Sequence, residues 1–176
     1  MLKGLNLYLV GMMGVGKTTI GKLLAQTLNY RFFDTDALIS KITQQSINEI
    51  FNSAGEPAFR EIESQVLAEL SAYTYLVVAT GGGIILKREN WSYLHHGMIV
   101  WLDVPVDLLM LRLQHDTTRP LLRDPDPAGK LQSLLNQRQS LYAQADVRIS
   151  VSAGETPEQV ATRVLEEIPK RLKSIG

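Results

Sequence analysis

Residues 11–18 read GMMGVGKT, which satisfies the pattern G-x-x-x-x-G-K-S/T. An apolar run at residues 5–10 precedes this stretch, and a segment with helical periodicity follows it. A buried strand, a glycine-rich loop and a helix in this order bind phosphate, because the loop N–H groups and the positive end of the helix face one point. We therefore predict a nucleotide site in which Lys17 reaches the outer phosphates and Thr18 holds magnesium. A plain glycine-rich turn is the alternative interpretation.

The rest of the chain predicts an α/β domain. Apolar strand-like runs alternate with helix-periodic segments, which is typical of a parallel sheet with crossover helices and of strands buried on both faces. One helical stripe runs from Pro57 to Ser71, and another starts at Pro157. No repeat or linker interrupts residues 1–176, so we expect a single domain. The strand candidates are Leu5–Val10, Arg31–Phe33, Tyr75–Ala79, Met98–Leu102 and Val147–Val151.

The composition limits the partners and the compartment. Lys+Arg and Asp+Glu are equal at 18 each, so no overall charge attracts nucleic acid or an anionic membrane. No apolar stretch reaches the roughly 18 residues that span a bilayer. The absence of cysteine excludes disulfides, thiolate metal sites and a cysteine nucleophile, and it fits a reducing compartment. We expect a cytoplasmic monomer whose partners are small molecules, without nucleic acid or a membrane.

Two aspartates follow the second strand candidate, in the sequence Asp34-Thr35-Asp36. If the chain is extended there, the two carboxylates lie on one side, roughly 6 to 7 Å apart. Asp34 could then hold a magnesium-bound water and assist removal of a hydroxyl proton, while Asp36 accepts hydrogen bonds from acceptor hydroxyls. Asp is also favoured at helix starts, so helix capping is the structural alternative, and the two roles can coexist.

Three glycines and two arginines form a candidate anion site. Gly81-Gly82-Gly83 follows the third strand candidate, which suggests backbone that approaches an anionic ligand, although a flexible turn is the alternative. Arg60 lies near the start of one amphipathic helix, and Arg138 lies within a later one. Isolated arginines are usually solvated surface residues. If these two converge, they can bind a substrate carboxylate bidentately.

Residues 116–128 predict an irregular lid. The pairs Arg119-Pro120, Asp124-Pro125 and Asp126-Pro127 interrupt any helix or strand in this stretch. Arg119 is placed where a lid arginine could swing onto the transferring phosphoryl group. An ordinary arginine of a mobile surface loop is the alternative.

Two other features carry no functional prediction. Asp103 ends an apolar strand like the metal-binding aspartate of many P-loop proteins, but a segment with the composition of a helix start follows directly. Capping or turning the next helix is therefore the better interpretation of Asp103. His95 and His96 are adjacent and would point in different directions on a helix, so we expect no metal site there.

A set of short motifs occurs in order along nearly the whole chain: GMMGVGKTTIG, FFDTD, AFREIE, GGG, RPLL, and R-x-x-x-Y followed by Ala145-Asp146. In this order they closely resemble the shikimate kinase family. The resemblance implies magnesium-dependent transfer of the γ-phosphoryl group of ATP to the 3-hydroxyl of shikimate, in chorismate and aromatic amino-acid biosynthesis. It also implies a three-layer α/β/α fold of the nucleoside-monophosphate-kinase type, with a five-stranded parallel sheet and a closing lid.

The resemblance further implies roles for individual residues. Lys17, Asp34 and Arg119 would be the catalytic residues, and Thr18 and Asp34 would serve the metal. The acceptor would be held by Asp36, Arg60, Gly82 and Arg138. ATP would be bound by Gly14, Val15, Gly16, Lys17, Thr18, Thr19, Arg112 and Arg119, with Arg112 near the adenine.

Two other functions compete with this one. Another small-molecule kinase of the same fold, such as a gluconate-type kinase, would not need Asp36, Arg60 and Arg138 arranged for a carboxylate beside a hydroxyl. A non-catalytic nucleotide-binding paralogue would tolerate losses among the nucleotide-side residues, and none of them is lost here.

Overall fold

The computed structural model describes residues 1–114 and 120–175. A parallel sheet has the strand order β2-β3-β1-β4-β5. Its strands are β1 Leu7–Val10, β2 Arg31–Asp34, β3 Leu76–Ala79, β4 Met98–Asp103 and β5 Val147–Ser150. The described helices are α1 Lys17–Leu28, α2 Thr35–Thr43, α3 Ile47–Ser71, α4 Arg88–Leu94, α5 Val106–Leu113, α6 Pro127–Tyr142 and α7 Pro157–Ile175, with short 3₁₀ helices at Ile84–Leu86 and Pro120–Arg123.

The central strands explain the layered architecture. Every residue of β1 and β3 is buried. Because successive side chains of a strand point to opposite faces, full burial requires helices on both faces of the sheet. The predicted α/β/α arrangement is therefore confirmed. The prediction that the strands are buried on both faces is wrong for the two edge strands. The residues of β2 are exposed or half-buried, and those of β5 alternate between buried and exposed.

Helix α3 begins ten residues before the predicted start at Pro57. Ser46 caps it, and Ser46 and Glu49 form a reciprocal capping box. Gly55, at φ 85° and ψ 167°, then breaks the helical geometry. The predicted helix is thus the second of two helical segments joined at a kink, and the first was missed although its capping pattern is visible in the sequence.

The prediction that residues 116–128 have an irregular backbone is wrong in its second half. Residues Pro120–Arg123 form a 3₁₀ helix, and α6 starts at Pro127. The Asp126 carboxylate caps α6 by accepting from the Gly129 N–H at 3.1 Å. Proline is tolerated in the first turn of a helix because its missing N–H needs no partner there, so Asp126-Pro127 starts a helix instead of interrupting one. Arg119 lies outside the described residues.

The sheet register brings the functional loops to one edge. Asp34 at the end of β2 is aligned with Ala79 at the end of β3, and Ala79 is aligned with Leu9 of β1. The phosphate loop, the aspartate pair and the glycine turn therefore leave the sheet side by side, where ligands bind in open α/β sheets. Over the two described ranges, no helix is long and apolar enough to cross a membrane.

Candidate active site

One cleft at this edge joins the phosphate loop to Asp36 and Gly82, whereas Arg60 and Arg138 are not among its lining residues. Its volume is about 510 Å³. Its lining includes residues 13–19 of the loop, Asp34 and Asp36 after β2, and residues 80–82 after β3. A donor phosphate and a small acceptor can therefore occupy the same cavity.

The phosphate loop has the backbone that its sequence predicts. Gly11, Gly14 and Gly16 all have positive φ, at 148°, 78° and 97°. A Cβ at Gly11 would also lie 2.7 Å from the Leu102 carbonyl oxygen. The first turn of α1 carries no acidic residue, so the positive end of the helix is not neutralised by its own side chains. The loop is a preformed anion site.

Two cations lie over this loop. Lys17 Nζ donates to the carbonyl oxygens of Gly11 and Met12, at 2.5 and 2.9 Å. Arg112, from α5, donates through Nη1 to the Val15 carbonyl at 3.0 Å. Both side chains are therefore within reach of a nucleotide bound at the loop.

Thr18 and Asp34 meet at the predicted metal position. Thr18 Oγ1 donates to Asp34 Oδ2 at 2.6 Å, and Asp34 Oδ1 accepts from the Ala37 N–H at 3.0 Å. Asp34 thus caps α2 and faces the nucleotide side at once, which are the two interpretations that its sequence position allowed. The extended geometry assumed for Asp36 is wrong, because α2 begins at Thr35 and Asp36 lies in its first turn.

These oxygens suit magnesium. Mg²⁺ prefers hard oxygen ligands and typically takes one or two from the protein, with waters and phosphate oxygens completing the shell. A hydroxyl and a carboxylate already in contact at the mouth of the phosphate loop meet this requirement. Elsewhere in the described ranges no group of three or more His, Asp or Glu side chains could hold a metal, and this includes His95 and His96.

The glycine turn is surrounded by charged side chains. A Cβ at Gly81 would lie 2.8 Å from both Asp36 Oδ1 and Glu63 Oε2. A Cβ at Gly83 would overlap the Arg60 guanidinium, and one at Gly82 would lie 3.6 Å from Arg138 Nη1. Side chains at Gly81 and Gly83 would displace the charged groups, so these two glycines permit a close approach, whereas the contact at Gly82 is an ordinary one. The two arginines do converge on the turn.

Arg60 is held by two carboxylates of its own helix. It pairs with Glu56 at 3.2 Å and with Glu63 at 3.0 Å. The Glu63 side chain is only 1% exposed, and burial raises its pKa, with the Asp36 charge adding to this and the Arg60 charge opposing it. These two ion pairs hold the Arg60 side chain against α3, where it is only 15% exposed, so it does not lie free in solvent.

Arg138 lies on α6, one helical turn before Tyr142. Tyr142 is fully buried, and its hydroxyl donates to the Gly82 carbonyl oxygen at 2.7 Å. Burial raises the pKa of Tyr142, and the nearby Arg138 and Arg60 charges offset only part of that rise. Helix α6 is thus bonded directly to the glycine turn.

A family model described as shikimate kinase matches residues 13–169 of the chain. The chain belongs to the shikimate kinase family. It is 65% identical over 173 residues to a shikimate kinase of Nostoc sp. (strain PCC 7120), and the match covers 98% of this chain and 96% of the relative. The resemblance seen in the ordered motifs is confirmed.

Solved shikimate kinases have the same fold. The structure of the Acinetobacter baumannii shikimate kinase in complex with shikimate matches with a TM-score of 0.90 at 40% identity, covering 94% of this chain and 93% of that one. The shikimate kinase of Bacteroides thetaiotaomicron matches with a TM-score of 0.86 at 30% identity, covering 94% and 98%. The predicted P-loop kinase fold is confirmed by both.

Three polar residues of this shikimate kinase site were not predicted from the sequence. Glu63 and Tyr142 occur inside the motifs AFREIE and R-x-x-x-Y, but no role was assigned to them. Thr35 accepts from the Gly81 N–H at 3.0 Å and is fully buried. Their partners come from distant parts of the sequence, so local patterns could mark the positions but not the contacts.

The interpretation of Asp103 as a helix cap is wrong. Its carboxylate pairs with Arg148 of the neighbouring strand β5, and α5 starts after Pro105 without a side-chain cap. The Arg148 guanidinium also lies 4.5 Å from the centre of the Trp101 ring. The N-cap residue of α5 is Pro105, so Asp103 lies two positions too early to cap this helix and forms a cross-strand ion pair instead.

Proposed function

We propose that this shikimate kinase transfers the γ-phosphoryl group of ATP to the 3-hydroxyl of shikimate, with Mg²⁺ at the Thr18–Asp34 position. The observation that supports this most is one cleft lined both by the phosphate loop and by two of the proposed acceptor residues, Asp36 and Gly82. Phosphoryl transfer depends chiefly on holding donor and acceptor in line and on neutralising charge, and one shared cavity allows both.

The nucleotide side follows from the loop. ATP phosphates occupy the point that the loop N–H groups and the start of α1 face. Lys17 then exchanges its bonds to the Gly11 and Met12 carbonyls for phosphate oxygens. Magnesium, when bound by Thr18 and Asp34, supplies positive charge to the phosphates. Arg112 stays on the loop backbone, beside the position proposed for the adenine.

The acceptor side follows from the glycine turn. Arg60 and Arg138 flank the turn and bind the shikimate carboxylate together with the Gly82 N–H. Asp36 lines the cleft between the turn and Asp34, where it accepts hydrogen bonds from shikimate hydroxyls. The attacking hydroxyl then lies towards Asp34, which takes its proton or orients a water that does.

The remaining proposals concern the lid and the setting. Arg119 acts from the lid on the transferring phosphoryl group, and residues 120–126 connect it to α6. We also propose that the enzyme acts as a cytoplasmic monomer on small molecules, without nucleic-acid or membrane partners. Zero formal net charge and the lack of cysteine support this setting.

Equilibrium binding separates this function from its rivals. Shikimate should bind the protein, and its affinity should fall by about tenfold or more when Arg138 is changed to Lys. Gluconate and nucleoside monophosphates should bind far more weakly. Preference for gluconate would support the gluconate-type kinase, and nucleotide binding without affinity for any acceptor would support the non-catalytic paralogue.

A further inference from the structure

Tyr142 is held rigidly at the end of α6. Its side chain is fully buried. Its ring stacks on Trp101 with centroids 5.7 Å apart and an angle of 20° between the planes. Trp101 is itself 1% exposed and lies on β4, between β1 and β5. The Tyr142 ring is therefore held in the core, and this fixes the position from which its hydroxyl donates to the Gly82 carbonyl oxygen at 2.7 Å.

One carbonyl of the glycine turn, that of Gly82, is hydrogen-bonded from outside its own segment. The Gly81 carbonyl accepts from Ile84 N and the Gly83 carbonyl from Leu86 N, both at 3.1 Å and both within the same segment. The Gly82 carbonyl, in contrast, accepts from Tyr142 on α6. Consecutive glycines have wide backbone freedom, so an external bond of this kind decides the orientation of the Gly82–Gly83 peptide.

The same tyrosine lies beside Arg138. The two residues are four positions apart on α6, which places them on one face of the helix. Arg138 Nη1 comes within 3.6 Å of a Cβ position at Gly82, next to the carbonyl that Tyr142 binds. Because burial raises the pKa of Tyr142, the phenol stays protonated and acts as a donor at neutral pH.

We propose that Tyr142 is a positioning residue of the acceptor site, whose hydroxyl sets the Gly82 backbone and the Arg138 guanidinium in the geometry that binds the acceptor carboxylate. The proposal rests on the proposed function for the identity of that carboxylate. Tyr142 does not touch the acceptor, and it acts through the two groups that do. Its loss should therefore weaken acceptor binding and leave the nucleotide side unchanged.

The kinetic test compares Tyr142→Phe with Tyr8→Phe. Tyr8 is equally buried, and its hydroxyl accepts from Asn6 Nδ2 at 3.3 Å, away from the cleft lining. Tyr142→Phe should raise the KM for shikimate by about tenfold, as expected for a buried acceptor that loses its partner. The KM for ATP should stay within about twofold in both variants. Equal effects of Tyr142→Phe on both KM values, or no effect on either, would overturn the proposal.

Two further measurements keep the test decisive. Replacing Tyr142 with 4-aminophenylalanine, which keeps the ring and a donor, should restore the shikimate KM. In the ligand-free wild-type protein in mixed H₂O and D₂O, deuteration of the Tyr142 hydroxyl should give the Gly82 carbonyl carbon resonance a second isotope shift, additional to the one that deuteration of the Gly83 N–H causes. Absence of that shift would refute the hydrogen bond between Tyr142 and Gly82, and with it the proposal, even if Tyr142→Phe failed to fold. If the wild-type protein showed the shift but did not turn over shikimate, the proposed function would be contradicted, whereas the hydrogen bond between Tyr142 and Gly82 would stand.

Discussion

The Thr18 hydroxyl donates a hydrogen bond of 2.6 Å to the Asp34 carboxylate, which joins the first turn of α1 to the cap of α2. Asp34 uses its other oxygen to cap α2 through the Ala37 N–H. One carboxylate thus fixes the start of the acceptor region and faces the nucleotide. A hydrogen bond between Thr18 and Asp34 thus joins the nucleotide side of the cleft to the acceptor side without any ligand.

Replacing Thr18 tests the metal position. Thr18→Ala removes the hydroxyl that we propose as a Mg²⁺ ligand and should lower kcat by about a hundredfold or more at saturating shikimate. Thr18→Ser keeps the hydroxyl and is the matched control, with activity expected within about tenfold of wild type. Steady-state rates over a magnesium titration measure both. Equal activity of the alanine and serine variants would remove Thr18 from the metal site.

Asp36→Asn tests the acceptor hydroxyl contact. The substitution keeps the size of the side chain and removes its charge, so shikimate should bind at least about tenfold more weakly, because charged hydrogen bonds are the stronger ones. The KM for ATP and the melting temperature should change little. Kinetics indistinguishable from wild type would place Asp36 outside the substrate site.

Arg138→Lys tests the bidentate contact. Lysine keeps the positive charge but loses the planar fork, so the KM for shikimate should rise by about tenfold or more. Arg171→Lys is the control, since Arg171 is exposed on α7 and does not line the cleft. If the two variants had the same shikimate KM, a bidentate contact at Arg138 would be refuted.

Glu63 predicts a dependence of stability on pH. Burial raises its pKa above the ordinary 4.5, with Asp36 adding to the rise and Arg60 and Arg138 opposing it. Above pH 4.5 the folded state keeps a proton that the unfolded chain has lost. The free energy of unfolding should therefore fall as pH rises from 4.5 towards the folded pKa.

Urea unfolding of wild type and Glu63→Gln checks this sign. Glutamine cannot titrate, so the stability of wild type relative to the variant should decrease as pH rises through that window. Glu69→Gln, at an exposed position of the same helix, controls for the loss of one carboxylate. A wild-type advantage that grew with pH would show that the Arg60 charge outweighs burial at Glu63.

The sheet and the backbone of the phosphate loop were predicted well from the sequence, because both depend on local patterns. The loop motif lies between a strand and a helix, and the capping alternative for Asp34 followed from its place before α2. Short-range signals of this kind retain their meaning wherever the segment lies in the fold. Pro127 was misinterpreted for a related reason, since the same residue type ends one helix and starts another.

The acceptor side could be predicted only in part. A carboxylate at Glu63 interrupts an otherwise apolar stripe, and its pair with Arg60 is local to α3. Its position beside Asp36 and Gly81, which come from two other segments, is set only by the tertiary fold. The motif order identified the family, but the contacts among these residues required the structure.

A coupled assay of ADP release with Mg²⁺-ATP tests the central claim most directly, with shikimate compared against quinate, gluconate and nucleoside monophosphates. The account predicts turnover that depends on shikimate and falls away with the other acceptors. Turnover with gluconate or a nucleoside monophosphate but not with shikimate would contradict it, as would ATP binding without turnover of any acceptor.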